Sequence, residues 1–472
     1  MSRPRILVAG GGLAGIAAAL ECADSGARVT LVERRNGLGG MTRSFRHGDL
    51  LLDNGQHVFL RCCTEYIAFL HRIGAAGDVE LQDRLDIPVV APSAKAGGLP
   101  AATRLRRSGW PVPLHLAASL VRYRHLSVTD RLRLGPAVIG LQRLSLDDPA
   151  LDRQTFASWL RAHGQTEAAI ANLWDLITVP TVNLTSERAS LAMAAKVFKT
   201  GLLSEPGAAD IGWSRVPLGV LHGERSSAAL SAARVEVRTA ERVRRITVGH
   251  AGGFEVNGDS WSEDVDGVVV DVPHDDAGSL LPQGSLRTQK SLGHLGTSAI
   301  VDVHLHLDRR VTDWPIMAAV GSKVQWVFDR TASSAAPTGQ LLAVSLSAAD
   351  DLLPLRPEEI VSEVQPELAR LLPSFSQARV IDTVVTKERH ATFKAVPGTG
   401  ALRPGTATDI PGLAVAGAWT DTGWPATMEG AVRSGVAAAR ACLAGAAHHE
   451  AARASRAEAG LLVGAGHEEE VA

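Results

Sequence analysis

Three glycines spaced Gly10-x-Gly12-x-x-Gly15 stand between an apolar run, Arg5 to Ala9 (RILVA), and an alanine-rich run, Leu13 to Ser25. That spacing suits a turn that receives a pyrophosphate. Gly10 permits the tight reversal, Gly12 lets the backbone approach phosphate oxygens, and Gly15 lets a helix pack closely on a strand. The helix start adds free N–H groups and a partial positive charge. Ala27 to Glu33 (ARVTLVE) reads as a second strand, and its terminal Glu33 is placed to accept both ribose hydroxyls of an adenosine. The charge of Glu33 would repel a 2′-phosphate, which disfavours NADPH. Strand, glycine turn, helix, second strand and acid together predict a dinucleotide site.

Directly after Glu33 the chain reads RRNGLGGMTRSF. Gly37, Gly39 and Gly40 form another loop of close approach, and Arg43 can reach a pyrophosphate with charge-assisted hydrogen bonds. A nicotinamide dehydrogenase does not need this second loop; a longer cofactor running deeper into the protein does. Some four hundred residues later, LAVAGAWTDTGWPATMEGAVRSG (413–435) repeats the logic of strand, glycine, polar loop and Gly-Ala-rich helix.

The elements that must position these turns are interleaved along 472 residues, a length for two or three domains. Short strands are predicted at Leu50 to Asp53, at 235 to 248 and at 264 to 273. The run 298 to 308 (SAIVDVHLHLD) alternates like a half-buried antiparallel strand. FASWLRAHG and ASLAMAAKVFKTGLL carry helical periodicity, and DDLLPLRPEEIVSEVQPELARLLPSF reads as a loop and an amphipathic helix. The fold class is therefore α/β: a Rossmann-like domain from residues 1–85, 215–285 and 396–445, with an interleaved α+β domain from 86–214 and 286–395. Residues 446–472 read as a poorly ordered tail.

Apolar residues make up 45% and charged residues 21%, so the chain is globular. A net charge of −2 argues against a general nucleic-acid binder. Cys22, Cys62, Cys63 and Cys442 form no CxxC pair, so no zinc site or disulfide framework is indicated and a reducing cytoplasm fits. The N-terminal run has the outline of a secretion signal, but four glycines would crowd that helix and the motif continues in register beyond it. No apolar run reaches the ~18 residues of a spanning helix.

Together, GGGLAGIAAALECADSGARVTLVERRNGLGGMTRSF and AGAWTDTGWPATMEGAVRSG resemble the FAD segments of the amine oxidase and phytoene desaturase superfamily. DNGQHVFLRCCTEYIAFLHRIG, LWDLITVPTVNLTSERASLAMAAKVF and KERHATFKAVPG are similar, more narrowly, to the hydroxysqualene dehydroxylases, squalene-associated FAD enzymes of hopanoid and squalene synthesis. The resemblance spans residues 6 to 435. It implies that Gly10, Gly12, Leu13, Ala14 and Gly15 hold the pyrophosphate of FAD, Glu33 the adenosine ribose, and that Arg34 or Arg35 flanks the adenine. It puts Gly40, Met41 and Arg43 along the phosphate and ribityl run, and Gly55, Gln56 and His57 beside the isoalloxazine. Val243, in ERVRRI, matches a position whose backbone contacts adenine, although an ordinary buried strand residue would look the same. Gly417 would lie on the ribityl chain, while Met428, Glu429 and Gly430 open a helix aimed at the flavin's pyrimidine edge. The superfamily has an acid directly after this glycine; here Ala418 stands there, and Asp421 is the expected substitute. No cysteine matches a covalent flavin attachment, so the resemblance implies non-covalent FAD. Cys62 and Cys63 read as buried structural thiols.

The family reaction would be reductive removal of an allylic hydroxyl from hydroxysqualene, giving squalene and water by hydride transfer from reduced FAD. His57, Asp175 and Glu429 are the candidates for the acid that protonates the hydroxyl. Each has a plainer reading: a flavin hydrogen bond, a surface charge and a helix cap. Carotenoid-type desaturation is the alternative, and a flavin-containing lipid scaffold without turnover another. An amine oxidase is less consistent with two tyrosines and 4% aromatics. The segment 103–143, with eight arginines and one acid, Asp130, among leucines and valines, suits an anionic membrane surface that stores a long isoprenoid. Peripheral membrane association is therefore expected.

Overall fold

The computed structural model describes residues 3–93, 95, 98–249 and 252–465, those from 448 onward as backbone only. The apolar run Arg5–Ala9 forms the middle strand of a five-stranded parallel sheet. Its order is Glu236–Thr239, Arg28–Glu33, Arg5–Ala9, Gly267–Val270, Leu413–Val415. Both neighbours of the middle strand are in full register, Ile6 opposite Val29 and Gly267. Because the four strands other than Glu236–Thr239 are buried on both faces, they read as continuous apolar runs, as parallel strands do. The helix Leu13–Asp24, rich in the best helix-forming residues, packs against the C-terminal helix Met428–Ala465. The approach is so close that a β-carbon on Gly435 would sit 2.1 Å from the carbonyl oxygen of Ala14.

The second sheet has seven strands in the order Val380–Phe393, Thr297–Leu307, Gln340–Leu346, Trp326–Asp329, Ile316–Ala319, Asp86–Ala91, Ala101–Arg106. All pairs are antiparallel except Ile316–Ala319 with Asp86–Ala91. The helix Pro357–Leu371 lays Ile360, Val364, Leu368 and Leu371 on Val301, Val303 and Leu305 of the long central strand. A separate core, with Phe156, Trp159, Trp174 and Phe198, joins the helices of the 128–201 region to Ile87, Val89, Ile316 and Ala343.

Three expectations are corrected. The run 235–248 is not one strand: Ala240 takes a positive φ of 59°, so Glu236–Thr239 joins the parallel sheet and Arg245–Val248 a three-stranded meander. Val243 lies in the link between them, buried but in no strand. Likewise 264–273 divides into Ser262–Val265 of the meander and Gly267–Val270 of the parallel sheet. The strand Thr297–Leu307 is antiparallel but buried on both faces, because its polar residues Asp302, His304 and His306 are covered by the chain around residues 50–57 and 338. The C-terminal helix Met428–Ala465 runs into the segment 446–472, of which residues 466–472 lie outside the described residues.

Candidate functional site

The C-terminal ends of the strands Arg5–Ala9, Gly267–Val270 and Leu413–Val415 converge where the glycine turns lie. Gly10 has φ +117°, and a β-carbon there would stand 1.9 Å from the Asp271 carbonyl oxygen. One on Gly15 would stand 2.1 Å from the Gly10 carbonyl oxygen. The turn is therefore closed to any side chain, and the free N–H groups of the helix beginning at Leu13 and Ala14 face outward from it. Glu33 is buried at its strand end; one carboxylate oxygen accepts from Gly11 N at 2.7 Å and the other from Arg35 N at 2.8 Å. Each oxygen keeps a lone pair for a ribose hydroxyl.

The second glycine loop is seated on the first. Gly39 N donates to Gly11 O at 2.9 Å, and a β-carbon on Gly40 would lie 3.0 Å from the Gly12 α-carbon. Arg35 and Arg43 both turn a guanidinium to the Gly40 carbonyl, whereas Arg34 reaches outward to Asp276. The Met41 carbonyl receives Asn54 Nδ2 at 3.5 Å. The link carrying Val243 crosses this end of the sheet, with Ala240 N on Arg35 O and Glu241 N on Glu33 O.

The closing turn is fixed from three sides. Gly417, at φ +127°, donates to Ser434 Oγ at 2.9 Å, and Trp419 Nε1 donates to Val272 O at 3.0 Å. Arg403 is buried and donates to the carbonyls of Trp419, Thr420 and Trp424, which shapes the loop leading to Met428 and Gly430. Asp421 is exposed; its carboxylate accepts from Gly423 N at 3.1 Å and stands 3.9 Å from Arg403. Between the two turns lies a residue that the sequence reading passed over, Asp271. Its Oδ2 accepts from Gly15 N at 2.7 Å. Burial raises its carboxyl to about 6; the N–H of Gly15 opposes this, the Glu33 carboxylate adds to it, and the N–H of Gly12 opposes it again.

Gly55, Gln56 and His57 pack under the second sheet. The place of a Gly55 β-carbon is 3.5 Å from both Asp302 Oδ2 and His57 Cε1. His57 is half-buried with Nδ1 on the Gly55 carbonyl at 3.2 Å, and burial holds its pKa below the usual histidine value. Asp302 is 1% exposed, and burial pushes its carboxyl up to about 7 although the Ser345 hydroxyl and Gln56 N–H pull downward. The Gln56 side-chain nitrogen is buried without a hydrogen-bond partner. Asp53, Gln56, His304 and Arg330 line a narrow crevice beside it.

The other two acid candidates hold structure together. Glu429 is 1% exposed and accepts from Tyr66 N at 2.7 Å, from Glu65 N and from Arg433 Nε, so it caps the helix Thr64–Arg72 and not its own. Asp175 accepts from the backbone and hydroxyl of Ser186, and burial raises its pKa above the usual carboxylate value.

Residues 13–443 match the family described as flavin containing amine oxidoreductase, and the chain belongs to that family. It is a flavin-dependent oxidoreductase with an amine oxidase-like fold. Among curated proteins it is similar to hydroxysqualene dehydroxylase of Rhodopseudomonas palustris, 29% identical over 451 residues that cover 93% of this chain and 98% of that one. The zeta-carotene desaturase of Synechocystis sp. is 24% identical, covering 93% and 97%. Among solved structures, cyclohexylamine oxidase from Brevibacterium oxydans superposes with a TM-score of 0.66 at 19% identity, covering 95% of this chain and all of that one. An oxidoreductase from Methanosarcina mazei gives a TM-score of 0.70 at 15% identity, covering 91% and 98%.

The residues fit a flavin dinucleotide. The first turn is emptied of side chains by Gly10, Gly12 and Gly15, Glu33 keeps acceptor capacity for ribose hydroxyls, and the closing turn at Gly417 lies at the C-terminal ends of the same sheet's strands. Asp271 and Asp302 were missed because each acts on residues far away in sequence, and Arg403 because its carbonyl partners depend on how the closing loop folds. The one available signal was an acid directly ending the apolar run GVVV.

Proposed function

We propose that this protein binds FAD non-covalently and uses its reduced form to remove the hydroxyl group of hydroxysqualene, yielding squalene and water. The observation that carries the reading is end-to-end likeness to hydroxysqualene dehydroxylases, supported by two glycine turns at one end of the parallel sheet. When bound, the flavin supplies the hydride. The chain supplies the rest: the turns around Gly12 and Gly417 orient the cofactor, Gly55 to His57 set the loop beside it, and the apolar second domain excludes water. Anaerobic incubation of reduced holoprotein with hydroxysqualene should reoxidise the flavin and form squalene in equal amounts. Likeness to zeta-carotene desaturases favours a second reading, with hydride passing from substrate to flavin. Flavin reduction by zeta-carotene, without turnover of hydroxysqualene, would establish it. No redox change with either isoprenoid would leave a lipid-binding scaffold. Denaturation in acid should release the flavin intact.

A membrane surface is the proposed source of so insoluble a substrate. Trp110, Leu114, Val121, Val128, Leu132 and Ile139 are exposed, all within the arginine-rich segment. Beside them lies a hollow of about 880 Å³ lined by Arg84, Arg122, Arg124 and Arg131, among others. Among the described residues no helix is long and apolar enough to cross a membrane, so the proposed association is peripheral. Arg107 is bonded to the buried Asp210, and Arg104 pairs with Asp86, so the informative charge reversals are Arg84→Glu, Arg122→Glu and Arg124→Glu. Flotation of the triple variant with anionic liposomes equal to that of the wild type would count against the membrane surface.

A further inference from the structure

The strand ending at Asp271 pairs on one side with Arg5–Ala9, which leads to Gly10, and on the other with Leu413–Val415, which leads to Gly417. A cofactor running from the first turn to the closing turn must pass over the end of this strand. Asp271 stands at that point. Its Oδ2 is anchored on Gly15 N at 2.7 Å and lies 2.8 Å from the place of a Gly12 β-carbon. Its Oδ1 lies 3.6 Å from the place of a Gly417 β-carbon.

The closing segment has Ala418 where the resemblance expects an acid that bonds the ribityl chain. Asp421 points away into its own surface turn, bonded to Gly423 N. A carboxylate repels phosphate but accepts hydrogen bonds from hydroxyls, so the part of a flavin dinucleotide it suits is the polyol. We propose that Asp271 provides the ribityl-binding carboxylate of this protein, reaching from the fourth strand the place that an acid after Gly417 would serve.

This assignment rests on the FAD reading, and the test separates the two. Flavin-stripped wild type, Asp271→Ala and the double variant Asp271→Ala with Ala418→Asp would each be titrated with FAD and with ADP, which carries adenosine and pyrophosphate but no ribityl chain. Asp271→Ala should weaken FAD by about tenfold or more, the loss of a hydrogen bond to a charged group. ADP affinity should fall by no more than about twofold, since ADP makes no bond to Asp271 and loses only a repelling charge. The double variant should recover most of the FAD affinity. Equal losses for FAD and ADP would mean a damaged turn and overturn the assignment. So would unchanged or tighter FAD binding by Asp271→Ala, or a double variant no better than the single. Wild type that binds neither ligand overturns the FAD reading, and the assignment with it.

Discussion

The carboxylate of Asp53 and the guanidinium of Arg330 meet at 2.8 Å, with their side chains only 5% and 10% exposed. Asp53 also accepts from Ser44 Oγ and Leu218 N, and Arg330 donates to the Ser214 carbonyl. One buried pair thus ties the hairpin before Gly55 to the second sheet's far loops. Arg330→Ala should cost about 3–5 kcal/mol, because Asp53 is left charged and unpaired. Asp53→Asn with Arg330→Met should cost less than the sum of the two single changes. Urea unfolding of the wild type, Arg330→Ala, Asp53→Asn, Arg330→Met and the double variant checks both statements.

Asp302 sets a pH dependence whose sign follows from burial. Its carboxyl titrates at about 7 when folded, above the ordinary 3.8, so folding favours the protonated form. The stability this gives is complete below pH ~4 and is lost as pH rises through ~7. Asp271, at about 6, adds to the same trend. Asp302→Asn should flatten the profile and stabilise the flavin-free protein at pH 8 by on the order of a few kcal/mol. Unfolding measured at pH 5 and pH 8 decides it; parallel profiles for variant and wild type would contradict the prediction.

Glu429 separates a cap from a chemical acid. Its carboxylate serves the N-terminus of Thr64–Arg72 and Arg433. Glu429→Gln should lower stability by about 1–2 kcal/mol. The rate of flavin reoxidation by substrate should change by less than about threefold if the residue only supports structure. A hundredfold fall in a variant that remains folded would instead put Glu429 in the chemistry.

Gly15→Ala tests the cradle. A β-carbon 2.1 Å from the Gly10 carbonyl forces the turn open. The variant should lose about 1–3 kcal/mol of stability. It should also purify with a 450 nm to 280 nm absorbance ratio well below that of the wild type.

Spacing alone determined the backbone features. Gly10 and Gly15 dictate a turn because a β-carbon at either would strike a backbone carbonyl oxygen, and Glu33 follows at the end of the next strand by simple count. Of the second sheet, only the strand Thr297–Leu307 could be read from the alternation of its residues. Tertiary structure decided which side chains meet. Gly15 and Asp271 are 256 residues apart, and only the strand order brings the carboxylate to the turn. Glu429 looks like the first-turn acid of its own helix, yet packing against Thr64–Arg72 turns it into another helix's cap. Asp302 alternates like a solvent-facing residue and is buried because the loop at Gly55 covers it. Local periodicity specifies the face on which a side chain lies; what covers that face depends on chain segments that the period does not encode.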